Sequence, residues 1–166
     1  MFSRELLEET RTLLLLCHRH GLRLVTAESC TGGLVTGCLT EIPGASNVLE
    51  RGFIVYANEA KEALLGVSKR LIETHGAVSE AVARAMAEGA LASAGVDLSI
   101  ATTGIAGPGG GTQDKPVGLV HLATAARGRP TLHARHVFSG DRTAIRLHAV
   151  QAAIGLLRRQ AEGLVS

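Results

Sequence analysis

Apolar positions along the chain follow two kinds of spacing, and their alternation lays out the elements. From Ser3 to His20 they recur at helical intervals, with Leu6, Leu13 and Cys17 on one face, Ser3 at the capping position and Gly21 at the end. Leu22 to Ala27 is a short run of Leu, Val and Thr that predicts a buried strand, and Gly33 to Thr40 returns to helical spacing. Val48 to Tyr56 predicts a second strand, its apolar part Phe53-Ile54-Val55-Tyr56. Asn58 is placed to cap a helix that carries Lys61. Ser68 to His75 predicts a short helix closed by Gly76. Ser79 and Glu80 open a long Ala-rich helix to Ala94, ended by Gly95.

Asp97 to Thr103 predicts the third strand. Val117 to Ala125 and Thr131 to Phe138 predict two more, joined as an antiparallel hairpin through Arg127-Gly128-Arg129-Pro130. The last element, Asp141 to Glu162, is a helix with Ile145, Ala149, Ala152 and Leu156 on one face. Helices between the early strands and a hairpin late in the chain predict an α/β fold, a three-layer α/β/α arrangement around a mixed sheet of about five strands, with residues 1–166 as a single domain.

Composition narrows the function. Hydrophobic residues make up 46% of the chain but aromatics only 2%, with no Trp, so Leu, Ile, Val and Ala must fill the core. The formal charge of +2 carries no basic block, which leaves nucleic acid without an electrostatic footprint. Cys17, Cys30 and Cys38 show neither disulfide nor zinc spacing, and the Leu13 to Leu16 run is too short to span a bilayer, so a cytoplasmic protein that binds no membrane is expected. His18 and His20 diverge on a helix. His133 and His136 face opposite sides of a strand, so no metal is expected. The acid pairs Glu59/Glu62 and Glu80/Glu88 read as solvated helix charges.

The chemistry gathers at Val25-Thr26-Ala27-Glu28-Ser29-Cys30-Thr31-Gly32-Gly33, a strand-to-helix junction. Helix-terminal N–H groups favour an anion there, and Gly32 and Gly33 let a substrate approach the backbone. Ser29 reads either as an N-cap or as a nucleophile, which needs a base. Lys61, just past the second strand, is the candidate base if the two strands are parallel and burial lowers its pKa; otherwise it is a helix-surface lysine. Cys30 is the rival nucleophile or a packing residue. The loop Gly104 to Pro116 ends a strand, where ligands collect in open α/β sheets, but lacks a Walker or dinucleotide pattern.

Several segments together resemble one family: Thr26-Ala27-Glu28-Ser29-Cys30-Thr31-Gly32-Gly33, Arg51 to Lys61, His75-Gly76-Ala77-Val78-Ser79, Thr103-Gly104-Ile105-Ala106-Gly107-Pro108, Lys115-Pro116-Val117-Gly118 and Phe138-Ser139-Gly140-Asp141-Arg142. In this order they are similar to the CinA C-terminal domain family, and a stand-alone form is expected, without the molybdopterin-binding-like domain that many relatives carry. The resemblance implies a nicotinamide mononucleotide deamidase, a cofactor-free amidohydrolase, with Ser29 attacking the carboxamide, Lys61 as base and Tyr56 as an active-site tyrosine bonding within the dyad. It further implies substrate contacts from Thr31, Gly32, Gly33, Thr103, Gly104 and Gly107. N–H groups from Cys30 to Gly33 are expected to form the oxyanion hole. Arg142 is expected to meet the phosphate, with Arg146 one turn later as the alternative. Family members commonly assemble as homo-oligomers, which sets the same expectation here; a non-catalytic nucleotide-binding or competence-related module is the alternative function.

Overall fold

The computed structural model describes residues 1–166. Its centre is β1 (Leu24–Glu28), whose five side chains are all buried. A short strand buried on both faces is what a parallel sheet covered by helices requires at its centre. Accordingly β2 (Leu49–Ile54) and β3 (Leu98–Gly104) flank it, each in parallel register, with Ala27 opposite Phe53 on one side and Ala101 on the other. β4 (Leu119–Ala126) pairs antiparallel with β3, and β5 (Arg129–Val137) antiparallel with β4, giving the order β2-β1-β3-β4-β5. Helices α1 (Arg4–Arg19), α2 (Leu34–Thr40) and α6 (Arg142–Val165) cover one face; α3 (Asn58–Leu65), α4 (Lys69–His75) and α5 (Glu80–Ala94) cover the other. This is the mixed five-strand α/β/α fold that the spacing predicts.

Residues with period-two alternation divide between the two cores. Leu24, Ile100, Val120 and Leu122 pack with Leu13, Ile145 and Leu157 on the α1/α6 side; Val25, Ala27, Ala101 and Ala123 pack with Met86 and Ala90 on the α5 side. Small residues permit close approach on both faces of the sheet. A Cβ on Gly89 of α5 would lie 1.9 Å from the Leu65 carbonyl oxygen at the end of α3. A Cβ on Gly52 of β2 would lie 2.5 Å from Thr36 Oγ1 and 2.7 Å from Thr26 Oγ1.

Some local expectations are corrected. The hairpin link is Arg127-Gly128 alone, since Arg129 and Pro130 belong to β5. Pro130 is tolerated because β5 is an edge strand and the register shifts opposite it, between Thr124 and Ala126. Asn58 is the first residue of α3 and Ala57 holds the cap position, without a side-chain bond. β2 ends at Ile54, leaving Tyr56 outside the ladder, and α6 continues to Val165 with Ala153 in the core and Ala152 half-buried. The parallel order of β2, β1 and β3 has one consequence for function. The segments that leave their carboxyl ends all emerge at the same edge of the sheet.

Candidate active site

Ser29 is the first residue beyond β1, and its N–H still donates to Thr102 O at 3.0 Å, so its backbone is held as an extension of the strand. Side chains alternate faces along β1. Val25 and Ala27 point to the α5 layer, Glu28 points to α2, and Ser29 returns to the α3 side. There it meets Lys61, which one turn of α3 carries back over the strand end. Lys61 is only 1% exposed, and its Nζ lies 3.2 Å from Ser29 Oγ, 2.8 Å from Val55 O and 3.2 Å from Tyr56 O. Burial holds the Lys61 amine below the ordinary lysine range, with Cys30 and Glu59 opposing more weakly. Three oxygens, those of Val55, Tyr56 and Ser29, surround the amine; once neutral it has two N–H groups for the two carbonyls and one lone pair for the Ser29 hydroxyl.

Behind Ser29 sits a carboxylate that the sequence reading passes over. Glu28 is fully buried. Its Oε1 accepts from Thr36 N–H at 2.8 Å and Thr36 Oγ1 at 2.7 Å; its Oε2 accepts from Gly33 and Val35 N–H, each at 3.0 Å, and from Thr31 Oγ1 at 2.6 Å. Because Thr31 spends its one proton on Glu28, Thr102 is the donor in their 2.7 Å contact. Glu28 therefore supplies the negative charge that the positive end of a helix favours. This revises the expectation that those helix amides face a substrate. Gly33 N–H goes to Glu28, Gly32 N–H goes to Ser29 O at 3.1 Å, and Thr31 is fully buried. Of the N–H groups from Cys30 to Gly33, those of Cys30 and Thr31 have no partner in the chain, and Cys30 keeps the slight exposure.

The remaining predicted residues divide into a rim and a frame. Arg142, at the start of α6, donates through Nη1 to Gly107 O at 2.8 Å and through Nη2 to Tyr56 Oη at 3.2 Å. Tyr56 is 62% exposed; its hydroxyl reaches Arg142, and it is the backbone carbonyl instead that meets Lys61 Nζ. Thr103, 1% exposed, donates to Ala77 O at 2.8 Å and ties the segment before α5 to β3. A Cβ on Gly104 would stand 2.7 Å from Leu119 O, and one on Gly107, at φ +79°, 2.6 Å from Val117 Cγ1. Arg146 is separated from Arg142 by its partners: Nε donates to Cys30 O at 3.1 Å and Nη2 to Thr31 O at 2.9 Å. Ser29, Lys61, Tyr56, Arg142 and Gly107 are thus linked in one run of hydrogen bonds, with Thr31, Gly32, Gly33 and Thr103 in the frame around it.

Cys30 is a poor rival for Ser29. Burial pushes its thiol up to about 11, so it is protonated at neutral pH. The histidines form a separate cluster. His133 faces α5 and His136 the other side, stacked on Phe138, but His121 approaches His133 at 2.9 Å between Nδ1 and Nε2. Glu80 stands 3.6 Å from His133 and also accepts from Arg84, while Glu88 accepts from Thr131, so neither acid is a free surface charge. No three His, Cys, Asp or Glu side chains converge as a metal site. No helix is long and apolar enough to cross a membrane.

The likeness to known proteins covers this geometry. The CinA C-terminal domain profile matches residues 7–161. A competence/damage inducible protein from Agrobacterium tumefaciens, known as a crystal structure, is 46% identical with a TM-score of 0.94, covering 98% of each chain. Among curated relatives, a CinA-like protein of Akkermansia muciniphila is 49% identical over 144 residues, and a protein of Symbiobacterium thermophilum named as competence-damage inducible is 51% identical over 147. These alignments cover 85% and 84% of the present chain but only 35% and 34% of the relatives, so the chain spans about a third of their length. With residues 7–161 matched by the family profile and a close structural likeness at 46% identity, the chain belongs to the CinA C-terminal domain family.

Proposed function

We propose that this domain is an amidohydrolase that converts nicotinamide mononucleotide to nicotinic acid mononucleotide and ammonia through an acyl-enzyme on Ser29. The observation that carries the proposal is the buried Lys61 amine 3.2 Å from Ser29 Oγ, depressed in pKa by its burial. Such a pair is a general base and its nucleophile within proton-transfer distance. In the first half-reaction Lys61 takes the hydroxyl proton as Oγ bonds to the carboxamide carbon. The tetrahedral adduct then collapses, Lys61 returns that proton to the departing nitrogen, and ammonia leaves. In the second half-reaction Lys61 deprotonates water, which attacks the acyl carbon; the ester C–O bond breaks, the acid is released, and Ser29 recovers its proton. The choice of a pyridine nucleotide rests on the family resemblance, supported by the Tyr56 ring and the Arg142 guanidinium, an aromatic face and a phosphate-matching fork.

The test is ammonia release from nicotinamide mononucleotide by the wild-type protein, Ser29→Ala and Lys61→Ala, with EDTA present throughout. Release by the wild type and by neither variant is expected, with Ser29→Ala folding normally because its hydroxyl contributes about 1 kcal/mol or less to stability. Nucleotide binding without ammonia release would replace the enzyme with a binding module.

A further inference from the structure

The geometry points to Arg146 as a positioning residue for catalysis, acting through two peptide units on the Cys30 N–H that receives the developing oxyanion. This rests on the reading of Ser29 as nucleophile. Arg146 Nη2 donates to Thr31 O at 2.9 Å. The peptide that owns this carbonyl also owns the Gly32 N–H, which donates to Ser29 O at 3.1 Å. The peptide that owns the Ser29 carbonyl owns the Cys30 N–H, the donor beside the nucleophile that is left without a partner. Planar peptides transmit a bond at the oxygen to the opposite N–H. A charged donor at one end of such a chain strengthens each bond in turn and fixes the direction of the last. The relay therefore runs from the guanidinium through Thr31–Gly32 and Ser29–Cys30 to the point where negative charge develops.

Two further features belong to the same device. Arg146 Nε donates to Cys30 O at 3.1 Å, so the turn is gripped at consecutive carbonyls and cannot rotate its amides independently. Gly32, at φ +58°, supplies the space, since a Cβ there would stand 3.2 Å from Arg146 Nη2. The α2 amides cannot take over the task, because Glu28 already occupies those of Gly33, Val35 and Thr36. Oxyanion stabilisation is left to the turn, and Arg146 is the only charged side chain bonded to the turn's carbonyls.

Arg146→Gln and Arg146→Lys test the assignment in two assays on the same preparations: steady-state ammonia release from nicotinamide mononucleotide, and the rate at which a fluorophosphonate probe phosphonylates Ser29, followed by intact mass. In the second assay Ser29 Oγ displaces fluoride from phosphorus and Lys61 takes the proton, so the phosphonyl oxygen tests the same donor without the substrate. The expected result for Arg146→Gln is a fall of about tenfold or more in kcat at nearly constant KM, matched by the phosphonylation rate per folded molecule, with partial recovery in Arg146→Lys. A loss confined to KM, or an Arg146→Gln protein that keeps the wild-type kcat and phosphonylation rate, overturns the assignment. A wild type that is phosphonylated at Ser29 but releases no ammonia defeats only the proposed substrate, and the phosphonylation arm then decides Arg146. A wild type inert in both assays removes the nucleophile and this inference with it.

Discussion

Lys61 is the side chain on whose environment the proposed chemistry most depends. A lysine at the surface is protonated at neutral pH, its pKa near about 10.4, and has no lone pair to offer. Here burial disfavours the charged form. Activity is therefore expected to rise with pH through an apparent pKa below the ordinary lysine range, and to be lost on the acid side as the amine takes a proton; a pH–rate profile of kcat/KM measures it. Cys30 supplies the opposing test at the same position in the turn. With its thiol held near 11, Cys30→Ala should retain activity within a few-fold, and iodoacetamide at neutral pH should leave the wild type active. Glu28 differs from both, because its task is to hold the frame. Glu28→Gln removes the charge and turns one acceptor oxygen into a donor that faces N–H groups. A loss of about 2 to 4 kcal/mol of stability is expected in denaturant titration.

The second α-layer shows how one backbone contact sets the position of the helix that carries Lys61. The absent Cβ of Gly89 lets α5 lie against the end of α3, which carries Lys61. Gly89→Ala is expected to cost about 1 to 3 kcal/mol by overpacking and to lower kcat as α3 is pushed away from Ser29. Gly37 in α2 is the control. Nothing lies within 4 Å of its would-be Cβ, so Gly37→Ala should stabilise the protein by about 0.5 to 1 kcal/mol. Elements of this kind were largely legible in the sequence, since the runs at Leu22–Ala27 and Asp97–Thr103 and the Gly128 turn follow local rules. The cap at Ala57 was not, because a favourable Asn58 next to the boundary outweighs an Ala by propensity alone. In the site, Ser29 and Lys61 were within reach once parallel strands were assumed. Glu28 and Arg146 were hidden because their roles depend on backbone groups, which have no residue letter. A glutamate closing a short Leu, Val and Thr strand just before Thr31 and Thr36 was the available signal for Glu28.

Across the whole molecule, the groups around His121 connect α5, β4 and β5. His121 is 8% exposed and is held down to about 4 by burial and by the facing His133, with Arg135 and Lys115 acting in the same sense and Glu80 opposing. Arg84 also faces His133 from α5. A depressed histidine favours the folded state while neutral. Between about 6.5 and about 4 the unfolded chain takes up a proton that the folded one refuses, so stability falls with pH through that window. Thermal unfolding from pH 7 to pH 4 should show this loss in the wild type, and His121→Gln should flatten it. The pair was out of reach of the sequence because His121 and His133 meet diagonally across two strands whose register is a tertiary property.

The Arg127-Gly128 link turns the chain at the edge where β3 begins, opposite the one where β3 ends beside Ser29, because β4 runs back from the site before β5 returns. Gly128, at φ +70°, has nothing within 4 Å of its would-be Cβ. That makes the hairpin tip a place for grafting: a peptide tag or a tethering cysteine inserted after Gly128 would anchor the protein to a surface with the Ser29 edge of the sheet turned to the solution.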